Sequence, residues 1–196
     1  MSVSREELAR VISLVRRLSV PWFVCGGWAI DLFAGRQTRE HSDLEIGIFR
    51  EDQLAIREHF LDWHPGKVVD GPDGPTIVPW YEGEWLMLPI HQVKLYKDGF
   101  LPREFEFMLN DTDGDLWQFR RMPAITMPKQ RLVRVTDDAI FYVAPEVQLL
   151  FKARIMRDHD RSDFDLALPL LNSEERAWLR SSLAAFLPGH EWLQSL

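Results

Sequence analysis

A single cysteine in 196 residues, Cys25, permits neither an intramolecular disulfide nor a cysteine-built zinc site. No apolar run approaches the roughly 20 residues a helix needs to cross a bilayer. The N-terminus passes straight into a helix signal, without a charged-then-apolar leader. These absences predict a cytoplasmic protein with no membrane attachment. Positive charge is in deficit as well: 23 Lys and Arg stand against 30 Asp and Glu, a net charge of -7. Such an average disfavours nucleic acid as the main ligand and mildly favours cationic partners. A Walker A lysine, a Gly-x-Ser-x-Gly elbow and a Gly-x-Gly-x-x-Gly turn are all missing, and the histidines show no paired metal-ligand spacing. What the chain does have is 46% hydrophobic residues, enough for a sizeable core, as a monomer or a homodimer.

Local patterning divides the chain. Ser4 and Glu7 have the spacing of a capping box, and Leu8, Val11, Ile12, Val15 and Leu18 recur at helical spacing, which predicts a helix over 4–18. After Pro21, a short apolar run from Trp22 to Cys25 meets Gly26-Gly27, and a short helix is expected from Trp28 to Ala34, closed by Gly35. Residues 43–49 alternate as a half-buried strand, a helix follows over 51–61, and the proline- and glycine-rich stretch 64–75 reads as a loop. Strands are expected at 91–97, 103–109 and 116–120, and Asn110–Asp115 reads as a hairpin turn rather than a calcium loop. From Pro145 the pattern is helical, with one helix over 145–157 and two more around Phe164–Leu171 and Leu179–Phe186. The expected division is an α/β domain over 1–144 and a C-terminal helical segment over 145–196 packed on it.

Chemistry concentrates between Gly26 and Glu45. Side chains two apart on a strand share a face, so Asp43 and Glu45 can lean toward one point and hold a hard cation such as Mg²⁺. Two carboxylates placed together repel, and the repulsion calls for a cation. Gly26 and Gly27 lack side chains and let backbone approach a ligand, while N–H groups at a helix start attract anions. Arg39 and His41, just upstream of the carboxylates, could reach the same phosphates. Lys152, Arg154 and Arg157 fall on the expected 145–157 helix, where Lys152 could neutralise a triphosphate or all three could form a solvated stripe. Asp31 reads as a capping or pairing residue. Trp28 suits either core or a base-stacking platform, and Trp80, Trp85 and Trp117 either line an acceptor pocket or belong to the core.

Gly-Gly-Trp-Ala-Ile-Asp from Gly26, then Gly35, then Thr38-Arg39-x-His41-x-Asp43-x-Glu45 resembles the signature of the polymerase beta-like nucleotidyltransferase superfamily. Within it, the pattern is most similar to the aminoglycoside and lincosamide nucleotidyltransferases. The resemblance implies an α/β (α+β) fold with a mixed sheet and a C-terminal helical extension. It also implies transfer of a nucleoside monophosphate from an NTP, ATP first among them, to a hydroxyl of a small-molecule acceptor such as an aminoglycoside, with two Mg²⁺ ions and release of pyrophosphate. In Arg103–Asn110, alternation places Glu104, Glu106 and Met108 on one side, and the resemblance makes Glu106 the third carboxylate. The aminoglycoside enzymes usually carry Asp where this chain has Glu45 and Glu106. That departure motivates an alternative, a non-catalytic nucleotide-binding or regulatory protein on the same fold.

Overall fold

The computed structural model describes residues 2–196. Helix α1 (Arg5–Val15) opens with the anticipated capping box: Glu7 N–H donates to the Ser4 hydroxyl and the Glu7 carboxylate accepts from Ser4 N–H. It buries Leu8, Val11, Ile12 and Val15 and stops at Val15, three residues short of the expected end, although Leu18 is still buried in the turn that follows. Strand β1 (Trp22–Val24) leads into α2 (Gly26–Phe33), which takes both glycines into its first turn, two residues earlier than the sequence suggests. Strand β2 (Glu45–Phe49) is followed by α3 (Leu54–His59).

The stretch expected as a loop is instead a hairpin of β3 (His64–Gly71) and β4 (Gly74–Pro79). Proline and glycine are tolerated here for positional reasons. Strand β4 lies at the sheet edge, where a missing N–H goes unpunished. Gly66 leaves room for the Ile77 side chain, which would stand 2.4 Å from an added Cβ. Strands β5 (Gln92–Tyr96) and β6 (Glu104–Asn110) fall within a residue of the expected positions. The hairpin at Asn110–Asp115 is present as β7 (Thr112–Asp113) and β8 (Leu116–Gln118), turning at Gly114. Then come β9 (Thr126–Pro128), α4 (Lys129–Leu132), β10 (Val133–Val135) and β11 (Phe141–Val143). The chain finishes with α5 (Pro145–Lys152), α6 (Asp158–Ala167) and α7 (Ser173–Phe186). The helix expected over 145–157 breaks after Lys152. Met156 takes a positive φ of 52°, and Arg157 N–H donates to Asp160 at the start of α6, so Lys152 and Arg157 sit on different elements. Among the described residues no helix is long and apolar enough to cross a membrane.

Eight strands form one mixed sheet in the order β10-β11-β1-β2-β6-β5-β3-β4, and β7-β8-β9 form a small second sheet. Strand β2 is central, antiparallel to β1 and parallel to β6. Strict alternation gives the central strands a dry face and a wet one. Ile46, Ile48, Val93, Leu95, Phe105, Phe107 and Leu109 are buried on one side, where the Phe60 and Trp63 rings pack edge-on against Phe105. Burying each such side chain stabilises the fold by about 1.5–3 kcal/mol. The other face presents Glu45, Gln92, Lys94, Glu106, Met108 and Asn110, and this is where the cleft forms.

One core residue breaks the rule that buried charge is paired. Glu146, in the first turn of α5, is fully buried with neither carboxylate oxygen hydrogen-bonded, and its nearest cation, Arg134, is 3.8 Å away. Burial raises its pKa from 4.5 to about 7, with Glu175 adding to the rise. Because the folded chain holds this proton more tightly than the unfolded chain, stability falls as pH rises from about 4.5 to about 7 and stays lower beyond. Glu146→Gln is therefore expected to gain on wild type between pH 5 and pH 8, on the order of 2 kcal/mol, in urea melts at both pH values. A stability difference independent of pH would refute this account.

Candidate active site

The parallel register of β2 and β6 places Glu45 directly opposite Glu106. Asp43 lies two residues before Glu45, exposed and just outside β2, which starts two residues later than the sequence suggests. The Glu45 carboxyl is pushed up from 4.5 to about 7, first by burial and then by Asp43 and Glu106, with Lys152 and Arg157 pulling the other way. Glu106 is buried and bound: Lys94, its cross-strand partner on β5, sits 2.8 Å away, and the Gln92 amide donates to its other oxygen. Glu104, the competing carboxylate on β6, is exposed and 3.5 Å from Lys94. The fold thus brings Asp43 and Glu45 together on the cleft wall, with Glu106 adjacent but tied to Lys94 and Gln92. Among the described residues no three His, Cys, Asp or Glu side chains converge around one point as they stand. The donor set is nevertheless that of a hard cation: carboxylate oxygens close together, one of them raised toward neutrality by burial and by its acidic neighbours.

The glycines make room, but for protein side chains. Gly26 has φ +69°, and a Cβ there would stand 2.2 Å from Glu45 Oε2. Its N–H donates to Gln148 Oε1 at 2.9 Å. A Cβ on Gly27 would collide with Arg39 Nη2 and His41 Nδ1. His41 is buried, 2.6 Å from Asp31 through Nε2, with its ring against Trp28. Asp31 also accepts from the backbone and hydroxyl of Thr38, so it fixes the loop that carries Arg39 and His41. Trp28 is 2% exposed and acts as core.

Sequence reasoning had no signal for the partners of Arg39 and Lys152. Arg39 binds Asp163 through two bonds of 3.0 Å. Lys152 is buried and pairs with Asp163 at 2.8 Å and Asp160 at 2.9 Å, and Asp160 in turn binds Arg157. Burial alone would raise both aspartates, but these cations outweigh it and hold their carboxyls below the usual range. The chain Arg39–Asp163–Lys152–Asp160–Arg157 staples α5, α6 and the 36–42 loop around the carboxylates. It replaces the solvated stripe that one continuous helix would have produced.

Gly26, Gly27, Arg39, His41, Asp43, Glu45 and Lys152 all line a single cleft of about 670 Å³, within the range for small-molecule sites. Met108 and Asn110 continue the sheet wall that carries Glu45, and Gln118, Arg120, Arg121 and Phe151 make the far wall. Trp80 and Trp117 are core and Trp85 is surface, so none of the three lines it. Gly26→Ala would force a strained φ and drive a methyl into the Glu45 carboxylate. It is expected to lower stability by about 2 kcal/mol or more, against about 1 kcal/mol for Gly35→Ala, where φ is +71° but the space is empty. Thermal melts of the pair test this, and equal costs would contradict it.

Against known proteins, the profile of the aminoglycoside-2''-adenylyltransferase family matches residues 7–165. The chain is 26% identical over 137 residues to a lincosamide resistance protein of Staphylococcus haemolyticus, covering 67% of this chain and 84% of that one. The lincosamide antibiotic adenylyltransferase LnuA, solved with lincomycin bound, superposes with a TM-score of 0.58 at 17% identity, over 85% of this chain and 97% of that one. ANT(2'')-Ia in complex with adenylyl-2''-tobramycin gives 0.58 at 13% identity, over 93% and 99%. At such identities the structural likeness speaks for the fold, which is the α/β nucleotidyltransferase fold expected from the sequence. Through the family profile, which spans most of its length, the chain belongs to the aminoglycoside-2''-adenylyltransferase family.

Proposed function

We propose that this protein transfers a nucleoside monophosphate from an NTP, ATP by preference, to a hydroxyl of a small-molecule acceptor and releases pyrophosphate. The observation that carries the reading is Asp43 and Glu45 on the wall of a cleft of ligand size, with Glu106 in register with Glu45 on the neighbouring strand, outside the lining. Family membership supports the reaction class, and the adenylyltransferases among the relatives support the base. In this reading residues 1–144 form the catalytic unit, and the helical segment 145–196 supplies Lys152 and the aspartates that hold it.

Asp43 and Glu45 would hold two Mg²⁺ ions, with Glu106 joining one of them. Bound there, the metals would neutralise charge at the α-phosphate and make the acceptor hydroxyl easier to ionise. The remaining work falls to the chain. Gly26, Gly27, Arg39, His41 and Lys152 form the phosphate side of the cleft. Along the Arg39–Arg157 network, three cations face two carboxylates, which leaves one positive charge for the phosphates. Release of Glu106 from Lys94 frees it to accept the acceptor's proton as the hydroxyl oxygen bonds to the α-phosphorus and the bond to the pyrophosphate oxygen breaks.

The grip of Lys94 and Gln92 on Glu106 also favours the alternative, a nucleotide-binding protein that performs no transfer. Pyrophosphate release with Mg²⁺, each NTP and a panel of hydroxylated acceptors separates the two. Transfer is expected with ATP, and Asp43→Ala should reduce it by about a hundredfold or more while barely moving the melting temperature, because Asp43 is exposed. An Asp43→Ala protein with intact transfer would remove the metal pair from the mechanism. Nucleotide binding with no pyrophosphate from any acceptor would leave the alternative.

A further inference from the structure

The far wall of the cleft carries charge that the proposed chemistry does not use. Arg120 and Arg121 are half-buried, line the cleft, and lie with their guanidinium carbons 5.7 Å and 5.5 Å from the centre of the Phe151 ring. Arg121 donates one bond, to Phe151 O, and its Nε is buried without a hydrogen-bond partner. Burial and mutual repulsion with exposed Arg154 depress both guanidiniums, Arg121 to about 10, which leaves them charged at neutral pH. Among the described residues none of these three arginines forms an ion pair. The nearby carboxylate, Asp111, is clasped on both oxygens by Arg50.

Accounting for the other acidic groups of the cleft leaves little for a cation. Asp160 is bound by Lys152 and Arg157, Asp43 and Glu45 are the proposed metal ligands, and Glu40 stands exposed at the rim. A polycationic acceptor would lie against Arg120 and Arg121, with Glu40 at the rim and exposed Asp70, outside the cleft lining, as the carboxylates left to meet it. The overall acidity of the chain, which favours such partners, does not extend to this wall. Two half-buried guanidiniums that form no ion pair suit a phosphate, whose oxygens accept paired N–H bonds.

We propose that Arg120 and Arg121 form an anion subsite for the acceptor, so that the hydroxyl receiving the nucleotide belongs to a phosphorylated small molecule rather than a polyamine sugar. This rests on the transfer reading for the role of the cleft. The subsite itself is tested by calorimetric titration of inorganic phosphate into the full chain saturated with Mg²⁺ and α,β-methylene-ATP, for wild type, Arg120→Ala and Arg120→Gln. Arg120→Gln removes the charge but keeps a long polar side chain, so it keeps the test open should Arg120→Ala fold poorly. Wild type is expected to bind phosphate alongside the nucleotide. Each variant should weaken that binding about tenfold or more, with nucleotide affinity held within about twofold. Phosphate displaced by the nucleotide, or nucleotide affinity falling about tenfold in the variants, would assign the arginines to the triphosphate and overturn the proposal. So would tobramycin binding to a nucleotide complex that refuses phosphate. If the nucleotide itself fails to bind, the transfer reading falls, while phosphate binding that Arg120→Ala abolishes would still support the anion subsite.

Discussion

Two parallel strands that pair glutamate with glutamate carry an electrostatic cost that the rest of the site is built around. Neighbouring strands lie about 4.8 Å apart, and two unit charges at about 5 Å with an effective dielectric near 20 repel by about 3 kcal/mol. The chain meets this cost on three sides. Glu45 retains a proton up to about pH 7, Lys94 and Gln92 hold Glu106, and the Lys152 and Arg157 charges lie close enough to pull Glu45 back down. None of these removes the repulsion as a divalent cation between the carboxylates would. Gly26 matters for the same reason, because its missing side chain is the space into which the Glu45 carboxylate fits.

Around that pair the scaffold is rigid where it has to be. The dry face of the sheet is a continuous apolar layer, so the wet face cannot slip its register without exposing Phe105 and Phe107. The network from Arg39 to Arg157, with Lys152, Asp160 and Asp163 buried at its centre, fixes the helices and loop beside the pair. Removing one member of such a network would leave a buried charge unpaired, at about 3–5 kcal/mol. The network is therefore best understood as holding α6 and the 36–42 loop in place, with its surplus positive charge left for the cleft.

What the sequence reveals here is whatever depends on neighbours along the chain. The capping box of α1, the alternation of β2 from Glu45 onward, and the face shared by Glu104 and Glu106 are all local patterns, and the structure contains them, although Asp43 falls outside the strand. The β3–β4 hairpin was illegible because Pro75 and Pro79 are acceptable at the edge of a sheet whose order no local window contains. The break after Lys152 depends on a positive φ at Met156 and on Asp160 turning back to Arg157, within a stretch whose pattern looks continuous. The partners of Arg39, Lys152 and Glu106 come from elements far away in sequence. The sequence could thus nominate these side chains but not show that each was already engaged.

The account stands most directly on the claim that Glu45 is destabilising without a cation and stabilising with one. Melting of wild type and Glu45→Gln at pH 8, first in EDTA and then with Mg²⁺ and ATP, measures both halves. The account predicts that the variant melts higher than wild type in EDTA. With Mg²⁺ and ATP the wild type should rise by several degrees, as about 2.7 kcal/mol of ligand stabilisation at a hundred times Kd would give, while the variant stays put. A variant that melts lower than wild type in EDTA, or that responds equally to Mg²⁺ and ATP, would contradict it.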